Sequence, residues 1–104
     1  MMRDCRDIPV LLEFPEETGR AAAWGRLVFL NAAGTALETR VKLELREEAF
    51  LSFDAAGRNF KRLAVSVIRA ARDEDGYWAA HARFVDVEVR ADLARFLRSV
   101  ISAS

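Results

Sequence analysis

Phe60-Lys61-Arg62-Leu63-Ala64-Val65-Ser66-Val67-Ile68-Arg69-Ala70-Ala71-Arg72 is the stretch on which the fold turns. Leu63, Val65 and Val67 recur at every second residue, the period of a strand, and the valines are β-branched. The alanines and arginines near its end suit a helix instead. The residues after Arg72 favour the strand. Asp73-Glu74-Asp75-Gly76 reads as a hairpin turn and residues 77–85 as the returning partner. On that partner Trp78, Ala80, Ala82 and Phe84 share one face, while Tyr77, Ala79, His81 and Arg83 share the other.

Further strands are expected on the N-terminal side of this hairpin. Arg40-Val41-Lys42-Leu43-Glu44-Leu45-Arg46 alternates apolar and charged residues, which predicts a half-exposed strand with Val41, Leu43 and Leu45 on one face. Residues 49–53 read as another strand and 54–59 as a loop. Val10-Leu11-Leu12-Glu13-Phe14 is a short apolar run stopped by Pro15. Residues 21–30 end in Leu27-Val28-Phe29-Leu30, apolar on both faces, which predicts a strand covered on both sides. Asn31-Ala32-Ala33-Gly34 then punctuates the chain, because Asn and Gly accept the positive φ of tight turns.

The period changes at the C-terminal end. Leu93, Phe96, Leu97, Val100 and Ile101 fall at i, i+3, i+4, i+7 and i+8, an apolar helical stripe. Asp92 is placed in the first turn, where the helix dipole favours a negative charge. Such a stripe must pack on something, and the open end of the sheet is the natural place. The expected architecture is mainly β: six or seven short antiparallel strands closed into a small barrel, with one C-terminal α-helix. A single domain is expected over 1–104, with an N-terminal arm at 1–8, the barrel at about 9–89 and the helix at about 90–102.

Composition narrows the function. The 104 residues are 52 % hydrophobic and 31 % charged, the mix of a globular chain. Such a length buries about 60–65 % of the unfolded surface, enough for one core. The 16 basic and 16 acidic residues cancel, which argues against DNA or RNA as a partner and makes self-association plausible. One cysteine and one histidine exclude an internal disulfide and the usual zinc sets. No apolar run approaches a membrane span, and residues 1–7 are too charged to begin a signal peptide, so a cytoplasmic protein without membrane insertion is expected.

The order of elements resembles a PilZ domain, the bacterial β-barrel module best known for binding cyclic di-GMP. Gly34-Thr35-Ala36-Leu37-Glu38-Thr39, continuing into 40–45, is similar to the family's glycine, short strand and alternating strand. Gly76-Tyr77-Trp78 with Arg83-Phe84-Val85-Asp86 resembles its late strand, which commonly ends in Arg-Phe-x-Asp, and the terminal stripe resembles its C-terminal helix. The likeness covers residues 3–101 and rests on order and spacing.

The resemblance implies a ligand site, and here the sequence departs from the family. The family's Arg-x-x-x-Arg pair grips phosphate and guanine with guanidinium forks. This chain offers Arg3-Asp4-Cys5-Arg6, one residue short of that spacing, with Asp4 and Asp7 competing for the guanidinium groups. Arg20 or Arg26 can substitute only if the fold brings it there. In the family's Asp/Asn-x-Ser-x-x-Gly motif, alignment on Gly34 puts Phe29 at the acidic or amide position and Asn31 at the serine. Alignment on Phe84 puts His81 where the family has glycine. A charge-assisted hydrogen bond contributes ~1.5–3 kcal/mol. Losing two or three weakens binding by ~10³-fold or more.

The candidate ligand-binding residues are therefore Arg3, Arg6, Asn31, Gly34 and His81, and no cofactor is implied. Trp24 and Phe29 are candidates for an exposed apolar face that contacts an unidentified protein partner or a second copy. His81 has no nucleophile at readable spacing, Cys5 has no base, and Asp73–Asp75 lacks the spacing of a cation loop, so no enzymatic activity is expected. The expected function is that of a PilZ-like regulatory module acting through protein contact, with cyclic di-GMP bound weakly or not at all. The alternative is a working cyclic di-GMP receptor built from the N-terminal arginines and the Asn31–Gly34 turn.

Overall fold

The computed structural model describes residues 3–102, with the backbone alone for 3–7 and 101–102. Its strands are β1 (Arg3–Glu13), β2 (Ala23–Leu30), β3 (Gly34–Thr39), β4 (Glu48–Ala55), β5 (Arg58–Arg72) and β6 (Trp78–Phe84), followed by α1 (Val87–Ser102). All neighbouring strands are antiparallel, and the order β1-β2-β3-β6-β5-β4 closes into a barrel. The mainly β architecture expected from the sequence is the one observed. Residues 3–8, expected as an arm, belong to β1, with Arg3 opposite Leu30 and Asp4 opposite Phe29.

The hairpin that decided the fold forms as its sequence requires. Asp73 Oδ1 accepts the Asp75 and Tyr77 amides at 2.9 Å each, and Gly76 takes a φ of +86° that a side chain would disfavour. The alternating face of β6 buries Ala80, Ala82 and Phe84, and β5 buries Val65 and Val67. The β4–β5 loop is the two-residue Ala56-Gly57 turn, both residues at positive φ, as a type I′ hairpin demands.

The alternating stretch 40–46 is not a strand. Leu43 is buried, but Leu45 is 64 % exposed, and the one backbone bond from the stretch to a strand is at its end, where the Arg46 amide donates to the Val67 carbonyl at 2.6 Å. The reason is topological. β3 is flanked on both sides by β2 and β6, whereas β4 lies between β1 and β5, so the chain must cross the end of the barrel to reach it. Leu43 plugs that end. The crossing is tied down by Arg20, which contacts the Glu47 carboxylate and donates to the Lys42 carbonyl at 2.7 Å.

Helix α1 starts at Val87, earlier than expected, where Asp86 Oδ1 accepts the Glu88 amide at 2.8 Å. Asp92 consequently sits beyond the first turn, where it meets Arg58. Leu93 and Leu97 complete the barrel core, and Phe96 stands edge-on to Phe60, with ring centres 5.0 Å apart. The side chain of Ile101 lies outside the described residues.

Candidate functional site

Two extra residues shape the outer wall of the barrel. In β2, Leu27 faces Leu37 and Phe29 faces Ala36, so Val28 is a bulge that sets both Leu27 and Leu30 inward. In β5, Val67 faces Ala82 and Arg69 faces His81, which makes Ile68 the corresponding bulge. Between them, β3 and β6 carry Ala36 opposite His81. A cross-strand row therefore runs Phe29, Ala36, His81, Arg69 on the outer face. The small side chain of Ala36 leaves the floor low, while Phe29, Ile68, His81 and Arg83 stand around it. The result is an open, mostly apolar cleft of about 340 Å³. Leu27-Val28-Phe29-Leu30 is thus apolar on both faces because of a bulge and a cleft, and the expected second layer is replaced at Phe29 by an open wall.

One end of the cleft is the β2–β3 turn. Asn31 Oδ1 accepts the Ala33 and Gly34 amides at 2.8 Å each, and the Asn31 amide donates to the Gly34 carbonyl at 2.9 Å. Buried Thr35 donates its hydroxyl to the Phe29 carbonyl at 2.6 Å, so its polar group is satisfied within the wall of the cleft. Gly34 does not have the positive φ expected of it. It is needed for close approach: a Cβ there would lie 2.3 Å from the Ala82 carbonyl oxygen.

This barrel and its flanking helix match solved structures. A crystal structure of YcgR from Escherichia coli in complex with c-di-GMP aligns at a TM-score of 0.74 and 13 % identity, over 99 % of this chain. The PilZ domain of YcgR with c-di-GMP, from the same organism, aligns at a TM-score of 0.69 and 12 % identity, covering 99 % of this chain and 90 % of that one. The chain has the PilZ fold. It spans 45 % of the longer YcgR chain, and identities this low establish the shape alone. No protein-family model matches the sequence, and no curated protein does.

On the PilZ barrel, Phe29, Asn31, Gly34 and His81 converge on the one cleft. The backbone of β1 places Arg3 beside Leu30, next to this rim, but the side chains of Arg3, Cys5 and Arg6 lie outside the described residues. Arg20 does not line the cleft; it contacts the Glu47 carboxylate and stacks on Phe14 at 4.1 Å. Arg26 pairs with Glu38 at 2.9 Å. Trp24, 66 % exposed, lies toward the far end of β2 opposite Leu11, so it does not join Phe29 in one patch.

Ile68, Arg83 and Ala36 line the cleft, although sequence reasoning did not assign them to the site. Arg83 was readable in principle, because it shares the outward face of β6 with His81. Ile68 was not, since one bulged residue reverses the face that strict alternation assigns. Among the described residues, the polar side chains at the cleft are Asn31, His81, Arg83 and Thr35, whose hydroxyl is committed to the Phe29 carbonyl. Among the described residues no group of three or more His, Cys, Asp or Glu side chains is placed to hold a metal ion. No helix among them is long and apolar enough to cross a membrane.

Proposed function

We propose that this PilZ-like barrel is a non-enzymatic regulatory binding module of bacterial signalling, acting by protein contact at the outer cleft. Cyclic di-GMP binds it weakly or not at all. The observation that carries this reading is the loss of acceptors at the cleft. Phe29 supplies an apolar wall where a cyclic dinucleotide site needs a polar group, and Asn31 Oδ1 is committed to two turn amides. Among the described residues Arg83 is the one guanidinium lining the cleft, whereas a cyclic dinucleotide carries two phosphates.

A second reading, a working cyclic di-GMP receptor, is favoured by the β1 backbone, which runs past Leu30 and Phe29 with Arg3 and Asp4 in register. The solved neighbours of the same fold are complexes with c-di-GMP, which makes that ligand the proper probe. Calorimetric titration at defined salt separates the two. The proposal expects no saturable heat. Binding near or below micromolar overturns it, and its loss in an Arg3→Ala/Arg6→Ala variant assigns the ligand to the N-terminal arginines.

A further inference from the structure

We infer that the cleft receives an acidic segment of a partner protein that presents one large apolar side chain. The inference rests on the protein-contact reading above and adds the chemistry of the partner. The cleft has two unlike sides. Phe29 and the half-exposed Ile68 rise over the low floor at Ala36, forming an apolar seat. Arg83 stands on β6 among the lining residues, and Arg69 lies across from His81 on β5, both exposed.

These two arginines differ from most others on the barrel. Arg20, Arg26, Arg58 and Arg62 each contact a carboxylate of this chain. Arg69 and Arg83 form no ion pair and no ring contact with any described residue. Their cross-strand neighbours are uncharged or weakly basic: Gly34 and Ser66 flank Arg83, and His81 flanks Arg69. Two positive charges with no ion-pair partner among the described residues, beside an apolar seat, complement a segment with the opposite pattern.

Size sets the scale of the occupant. A volume of about 340 Å³ is at the small end for ligand sites, suited to one anchoring side chain and its flanks. An aromatic anchor also gains the edge contacts that Phe29 offers. The apolar group supplies most of the affinity, and the arginines select the partner and speed its approach. Exposed ion pairs are individually weak, so removing both arginines costs roughly 5-fold in affinity.

The test is an amide-resolved NMR titration of the intact chain with three blocked tripeptides: acetyl-Glu-Phe-Glu-amide, acetyl-Lys-Phe-Lys-amide and acetyl-Glu-Ala-Glu-amide. The first is expected to shift the amides of Gly34, Ala36, Ile68 and His81, and the other two to leave them in place. An Arg69→Gln/Arg83→Gln variant, altered only at exposed positions, should bind the first peptide about 5-fold more weakly. Ala36→Leu should abolish the shifts by filling the seat.

Equal engagement of the cleft by the lysine peptide overturns the charge selection while leaving the protein-contact reading intact. No shift at the cleft with the acidic peptide overturns the inference outright. Micromolar heat with cyclic di-GMP, a separate measurement, is what overturns the parent reading.

Discussion

Substituting Gly34 by alanine tests whether the cleft floor is held by backbone contact between β3 and β6. The new Cβ would lie 2.3 Å from the Ala82 carbonyl oxygen, 3.2 Å from its carbon and 3.3 Å from the Arg83 Cα. A carbon–oxygen contact settles at about 3.3 Å, so the two strands must part by roughly 1 Å. Every atom in the way is backbone, and no flexible side chain can yield. The Phe84 amide's bond to the Ala33 carbonyl and the Asn31 amide's bond to the Gly34 carbonyl, 2.9 Å each, flank the strained point. Overpacking costs ~1–3 kcal/mol and a weakened backbone hydrogen bond adds ~1 kcal/mol. A loss of about 3 kcal/mol lowers the melting temperature of a domain this size by about 12 °C or more. Thermal unfolding followed by circular dichroism reads it directly. Gly34→Asn is the decisive companion. Asparagine rescues a glycine needed for left-handed geometry, but it carries the same Cβ, so it should do no better than alanine. A Gly34→Ala melting point within about 2 °C of the parent, or a clear rescue by asparagine, refutes the close-approach account.

Ala56 occupies the first positive-φ position of the β4–β5 turn, so Ala56→Asn should stabilise the barrel by ~0.5–1 kcal/mol, seen as a higher melting temperature. Ser52→Ala removes the hydroxyl that accepts the Arg62 amide at 2.9 Å, where β5 bulges with Arg62 at a φ of +51°; a loss of ~1 kcal/mol in urea unfolding is expected. Leu93→Ala empties a fully buried site under α1 and should cost ~3 kcal/mol, with faster hydrogen exchange along 87–102 as the local readout.

The fold was legible where local and tertiary signals agreed. The valines of β5, the 73–76 turn and the alternation of β6 all specify one hairpin, and the stripe through Leu93 and Leu97 specifies one helix. Legibility failed where period and topology conflicted. Residues 40–46 alternate as a strand does, but they lie in the connection from β3 to β4, which are not neighbours in the barrel. Only Arg46 at their end reaches a strand, its amide donating to the Val67 carbonyl, while Leu43 turns into the core. The site was legible in part for a similar reason. Asn31 and Gly34 announce a turn, yet whether Gly34 serves φ or close approach depends on how near β6 lies, which is not a local property. Ile68 and Val28 could not be assigned to a face from period alone, because each occupies a bulge that shifts the register by one residue.

The cleft and the barrel core are opposite faces of the same strands. Leu30, Leu37, Ala80 and Ala82 point inward and pack the barrel core, while Phe29, Ala36, His81 and Arg83 sit in alternation with them and line the outer cleft. Selection can therefore rewrite what the surface recognises one residue at a time without disturbing the packing beneath. That partition is consistent with a chain at 12–13 % identity to the YcgR barrels having their shape, since the residues that set the shape and those that face outward are different ones.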